Sequence, residues 1–144
     1  MKLLVSFFAL MASCVGLQSC DDDKPINPNE LPTVAESYID THFADASITS
    51  VLKEYDDLTY TYKVYLSDGT FIEFKKDGEW KDIENRVTGV PASVIPEKIA
   101  TYITTNYASN FVVDIERDRN YDVVLNNNLD LVFSLSGDFL RIDY

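Results

Sequence analysis

Between Leu31 and Tyr144 the apolar residues follow two rhythms in turn. Leu31, Ala35, Tyr38, Ile39 and Phe43 fall on one helical face, and Ile95, Ile99, Tyr102, Ile103 and Tyr107 do so again. Each run opens on a proline (Pro32, Pro96), which fits a first helical turn because its missing N–H has no partner there anyway. Val90-Pro91-Ala92-Ser93 predicts a short turn ahead of the second helix. Period two follows each helix. Tyr60, Tyr62, Val64 and Leu66 alternate with Thr61, Lys63 and Tyr65, which predicts a strand with one buried face. The pattern predicts strands over residues 48–55, 60–66, 71–76 and 80–84, and again over 111–117, 121–126, 129–135 and 139–143. Asp68-Gly69, Asp77-Gly78, Asn126-Asn127-Asn128 and Ser136-Gly137 punctuate them as hairpin turns.

The two runs match residue by residue. At an offset of 64, Pro32/Pro96, Tyr38/Tyr102, Ile39/Ile103, Thr41/Thr105 and Ala44/Ala108 are identical. At an offset of 59, Tyr62/Tyr121, Val64/Val123, Leu66/Leu125, Phe74/Phe133, Gly78/Gly137 and Ile83/Ile142 coincide. The offset changes between Leu52 and Tyr62, which reads as a longer hairpin loop in the first copy. The expected fold class is α+β: a tandem repeat of a helix plus a four-stranded antiparallel meander, with the helices on one face of the sheet. Repeat one spans 31–84, a linker 85–89, and repeat two 90–144. Whether the copies share one sheet or hinge at the linker is open at this level.

The N-terminus reads as an address. Lys2 precedes an apolar stretch from Leu3 to Leu17, too short to span a bilayer and typical of a secretory signal. Leu17-Gln18-Ser19-Cys20 resembles a bacterial lipobox, which implies cleavage before Cys20 and acylation of that residue. Gln18 departs from the small residue preferred there. Met11-Ala12-Ser13-Cys14 competes, with a shorter apolar stretch, as does an ordinary cleaved signal. Several acyl chains on Cys20 would anchor stably where one chain would not. Asp21-Asp22-Asp23-Lys24 reads as a solvated charge run, or as a segment similar to the acidic tag of surface-displayed Bacteroidetes lipoproteins. In an enterobacterial host the same aspartate would direct inner-membrane retention. The boundaries are thus a signal over 1–19, a lipidated cysteine and acidic tether over 20–30, and a domain over 31–144. Pro25 to Glu30 lack any apolar period.

The chain has 144 residues, 12 basic and 24 acidic, with a net charge of −12. Cleavage before Cys20 would remove only Lys2, leaving 11 basic residues and a net charge of −13. That balance argues against a nucleic-acid binder, which needs a basic face, and disfavours electrostatic docking on anionic lipid. Both cysteines lie at or before residue 20, so a cleaved chain could form no internal disulfide. One histidine and two cysteines leave little for a zinc site. His42 reads as a residue of the helix end rather than a ligand. Asp114, Glu116 and Asp118 resemble a calcium loop, but Arg119 stands at its glycine position and Leu125 at its final glutamate. A solvated edge strand is the expectation there. Asp56-Asp57 fall in a predicted loop, and no nucleophile elbow or phosphate loop is present. No catalytic residue, metal ligand or cofactor is predicted.

The Leu-Pro helix start, Tyr-x-Val-x-Leu before a turn, the apolar strands ending at Phe74 and Phe133, and Gly-x-Trp or Gly-x-Phe together resemble the PepSY-like, β-lactamase-inhibitor-like lipoproteins of Bacteroidetes. The resemblance covers 31–144 and the anchor. It implies a sheet covered by helices on one side and concave and open on the other, and it brings no catalytic site. No inhibitor loop is recognisable, so no inhibitory residue carries over.

Val64, Leu66, Ile72 and Phe74, with Val123, Leu125, Leu131 and Phe133, belong under the helices by alternation. The other face then holds Lys63, Tyr65, Phe71, Glu73 and Lys75, and Asp122, Val124, Asp130, Val132 and Ser134. Such mixed surfaces suit protein or peptide contacts. The candidate binding face is Tyr65, Phe71, Trp80, Val124 and Val132. Trp80 and Ile83 are three apart, so they share a strand face only through a bulge. The expected function is a non-catalytic, lipid-anchored envelope module that contacts a protein or peptide, a peptidase among the options. Expected residence is the outer membrane, cell-surface or periplasm-facing. The alternatives are an accessory subunit of an outer-membrane complex and a carrier of a small ligand or glycan.

Overall fold

The computed structural model describes residues 23–56 and 58–144. The predicted signal, Cys20, Asp21, Asp22 and Asp57 lie outside the described residues. The elements are β1 (Lys24–Pro25), α1 (Thr33–His42), β2 (Ile48–Asp56), β3 (Thr59–Leu66), β4 (Phe71–Lys75) and β5 (Trp80–Glu84), followed by α2 (Glu97–Asn106), β6 (Val112–Arg117), β7 (Tyr121–Leu125), β8 (Asp130–Phe133) and β9 (Phe139–Asp143). Short 3-10 turns stand at Pro28–Glu30 and Ala92–Val94. The nine strands form one antiparallel sheet in chain order, so the fold is α+β with two helices on an open sheet. A helix followed by four strands occurs twice in that order. Strand β8 stops earlier than predicted because Ser134 N turns to the carbonyl of Asp138, at 2.8 Å.

The alternation of the sequence becomes one row across the sheet. Val51, Val64, Ile72, Ile83, Ile115, Val123, Leu131 and Ile142 are successive register partners from β2 to β9. All but Ile142 are at most 2% exposed. Both ten-residue helices cover this row. Helices so short hold only by packing, and Ala35, Ile39, Ile99 and Ile103 sink into the same cluster. Tyr38 meets Phe74 edge-on at 6.1 Å, and Tyr102 meets Phe133 likewise at 5.3 Å. His42 ends α1, as expected, with its ring 4.4 Å from Tyr38 and Nδ1 3.0 Å from Ser93 Oγ.

Two expectations change, and one open question closes. The five extra residues before Tyr62 do not lengthen a loop. They lengthen the strands: β2 and β3 have nine and eight residues joined by residues 57–58, against six and five in β6 and β7. Tyr55, Tyr60 and Tyr62 meet along this extension, tilted at 5.8 Å and edge-on at 5.6 Å, and Lys53 Nζ lies 3.7 Å from the Tyr60 centroid. Such cross-strand contacts keep the extension paired. The tether is shorter than composition suggests, because Lys24 and Pro25 pair with Lys53 and Leu52, and Asp23 reaches Lys63 at 3.4 Å. The open question at residues 85–89 is answered by side-chain anchoring. Asn85 is buried, and its Nδ2 donates to Thr70 Oγ1 at 2.9 Å. Its Oδ1 accepts from Val87 N and Thr88 N at 3.0 and 2.9 Å, and its backbone N donates to the carbonyl of Val113. The linker is a fastened turn, and β5 pairs directly with β6.

Candidate functional site

Side chains alternate, so the residues between the core positions form the opposite face. Two register rows cross it. One runs Lys63, Glu73, Asp82, Glu116, Asp122, Val132, Arg141 from β3 to β9. The other runs Tyr65, Phe71, Glu84, Asp114, Val124, Asp130, Asp143 over the same strands. In the first row four neighbouring strands each present a carboxylate. Acidic residues directly opposite one another repel, and this chain pairs Asp82 with Glu116 and Glu84 with Asp114.

The compensation is uneven. Arg86 Nε donates to Glu84 at 2.9 Å, and its Nη2 lies 3.5 Å from Asp114. Lys81 reaches Glu73 at 3.4 Å, and Lys63 reaches Glu54 at 2.9 Å. Among the described residues no cation lies within ion-pair distance of Asp82 or Glu116. The Oδ1 atoms of Asp82 and Asp130 are buried without a hydrogen-bond partner. Burial, reinforced by the charge of Asp114, pushes the Asp82 carboxyl up to about 8. Asp82 therefore holds its proton at neutral pH. Burial and Glu84 also raise Asp114, against the lowering effect of its hydrogen bond from Asp82. Asp130 is raised by burial and by Asp122.

Two neighbouring carboxyls, Asp82 and Asp114, are thus both raised by burial. A groove of ≈ 760 Å³ lies farther along the sheet, between Tyr55, Tyr60 and Thr61 on one side and Glu73, Lys75 and Lys81 on the other. Asp82 does not line it.

The predicted binding residues divide. Tyr65 and Phe71 come together, with ring centroids 5.3 Å apart and Tyr65 39% exposed. Val124 shares their row but lies on β7, beyond Glu84 and Asp114, and is half-buried. Val132 faces the same side yet is fully buried between its register partners Asp122 and Arg141, so it offers no surface. Trp80 is on the other side. A bulge at Lys81 makes Trp80 the partner of Phe74, and its ring packs 6.5 Å from Tyr38 and 6.3 Å from Tyr121. The expected edge strand at Asp114–Glu116 is also corrected, because β6 is an inner strand flanked by β5 and β7. That pairing is what adds Asp82, Glu84, Asp114 and Glu116 to the face. Their alternation in Trp80–Glu84 and Val112–Arg117 was the available signal, but it gains meaning only once those two strands are neighbours.

A family described as "Putative beta-lactamase-inhibitor-like, PepSY-like" matches residues 60–141. Among solved structures, the chain resembles a putative calcium-regulated periplasmic protein of Bacteroides thetaiotaomicron. The two are 38% identical with a TM-score of 0.82, over 86% of this chain and 98% of that one. A putative periplasmic protein of the DUF2874 family from Bacteroides vulgatus is 36% identical, with a TM-score of 0.81 over 87% and 99% of the two chains. Another putative periplasmic protein from that species, of unknown function, is 34% identical, with a TM-score of 0.80 over 85% and 99%. No curated protein matches the chain. The match across both the repeating strand motifs and the whole described fold places this chain in the PepSY-like, β-lactamase-inhibitor-like family.

Proposed function

We propose that this protein is an exported, non-catalytic binding module that takes a segment of another protein on the uncovered face of its sheet. The observation that carries the reading is the ring pair of exposed Tyr65 and half-buried Phe71 beside a carboxylate band with too few cations. A segment with an apolar anchor flanked by lysine or arginine fits both parts. The periplasmic descriptions of the relatives support export, and the Leu17–Cys20 motif supports a lipid anchor at Cys20 in the outer membrane. The element boundaries of the two halves support reading them as copies of one unit, with α1 and α2 64 residues apart and β5 and β9 59 apart. Calcium regulation stays with the relative whose description names it. Among the described residues no three His, Cys, Asp or Glu side chains are grouped to hold a metal ion.

The test is cross-linking in intact cells, comparing wild type with Tyr65→Glu/Phe71→Glu. The double variant is expected to keep its circular dichroism spectrum and to lose partner recovery at least tenfold, because two anchors become charges beside like charges. Recovered without cross-linker, the wild-type complex should dissociate as salt rises. Equal recovery from both forms would overturn the face assignment and favour an accessory subunit held by its anchor.

The groove beside Tyr55 and Tyr60 favours a second reading, a small polar ligand or glycan stacked on those rings. Calorimetry against a panel of oligosaccharides decides it, and heat that vanishes in Tyr60→Ala is the supporting result.

A further inference from the structure

The two edges of the sheet are built differently. The β1 edge is two residues long and contains Pro25, which has no N–H to offer another strand. The β9 edge is five residues long, and among the described residues nothing pairs with its outer side. Its Leu140 is 50% exposed, and Tyr144, just past the strand, is fully so. Leu140 is a bulge residue, so the regular part of the strand is Arg141, Ile142 and Asp143.

That regular part is complementary to itself. An antiparallel pair centred on Ile142 sets Ile142 opposite its own copy and Arg141 opposite Asp143 in both directions. Arg141 Nη2 and Asp143 Oδ2 already lie 3.1 Å apart within one strand, both more than half exposed. An approaching copy therefore meets a neutral, alternating pair of charges. The rest of the molecule carries a net negative charge that would repel it.

We propose that β9 is a self-association edge, through which two copies of this chain join their sheets about a two-fold axis at Ile142. The interface is isologous, because each contact occurs twice. Backbone bonds supply the attraction and the Arg141–Asp143 exchange fixes the register. The contact is small, so the association is reversible and depends on concentration. This inference is independent of the open-face reading and uses a different surface.

Sedimentation equilibrium of the purified protein tests it. Wild type is expected to move toward twice the monomer mass as concentration rises. Arg141→Asp and Asp143→Arg should each stay monomeric, since each sets like charges opposite one another, and both should keep the native circular dichroism spectrum. Mixing the two variants in equal amounts should restore the dimer, because opposite charges then face each other at both positions. A wild type that stays monomeric at every concentration overturns the proposal. So does self-association of either variant at the wild-type level, or a mixture that remains monomeric.

Discussion

Gly78→Ala is expected to destabilise the fold by about 3 kcal/mol, a fall in melting temperature of roughly 10 °C for a domain of this size. Two costs combine. Gly78 has φ +87°, which a residue with a Cβ adopts at a cost of about 1 kcal/mol or more. The added Cβ would also stand 2.9 Å from Pro32 Cβ, 3.0 Å from Val34 Cβ and 3.1 Å from Ala35 N. These atoms belong to the opening of α1, where the carbonyl of Pro32 accepts from Ala35 N and Glu36 N. Nothing there is the free end of a side chain, so the helix start itself must shift off the sheet. Gly69 is the control. Its φ is +86°, but the nearest atom to a new Cβ is Val87 Cγ2 at 4.0 Å. Gly69→Ala should show the backbone cost alone, about 1 kcal/mol. Thermal melts of the two variants separate the terms, and equal losses would show that α1 does not rest on the Asp77-Gly78 turn.

The same turn shows what the sequence made legible. Asp77-Gly78 announces a hairpin through local chemistry, and so do Asp68-Gly69 and the alternation of Tyr62, Val64 and Leu66. Local rules sufficed for both helices, for most strand limits to within one residue and for the face buried beneath the helices. They failed where the outcome depends on which strands become neighbours. Read alone, Asp114-Ile115-Glu116 looks like a charged edge, because charges commonly guard edges. It is an inner strand because Asn85, one buried amide, turns the chain so that β5 meets β6. Trp80 was misplaced for a related reason: a single bulge residue, Lys81, reverses its face, and a bulge leaves only a spacing in the sequence. Tyr65 and Phe71 were legible as a pair because one short turn fixes their register. The carboxylate band was not, since its members come from four strands whose order is a tertiary fact.

That band makes the fold depend on pH in an unusual direction. Most proteins gain stability as their carboxylates ionise. Here unfolding free energy is expected to decline as pH rises from 5 to 9. Asp82 titrates at about 8 in the folded protein, against an ordinary 3.8. The folded state therefore keeps a proton that the unfolded chain has released. The stabilisation from that proton is complete below about pH 4, shrinks through the window between the two values, and is gone above 8. Asp114 and Asp130, both raised by burial, act in the same direction. Asp138, lowered by its hydrogen bond from Lys98, acts oppositely, and only on the acid side. Converted in full, the Asp82 shift would exceed about 5 kcal/mol. The carboxyl keeps some contact with water, so an effect of about 2 kcal/mol is the expectation. The groups facing it are Glu73 on β4, Glu84 on β5 and Asp114 and Glu116 on β6, and the nearest cations, Lys81 and Arg86, are committed to Glu73, Glu84 and Asp114. Asp82→Asn keeps the shape, cannot ionise and still donates toward Asp114. Denaturant melts should find it close to wild type at pH 5 and about 2 kcal/mol more stable at pH 9. Parallel pH profiles for the two proteins would mean that the β5–β6 seam tolerates the charge. The proton on Asp82 would then have no part in joining the two halves of the sheet.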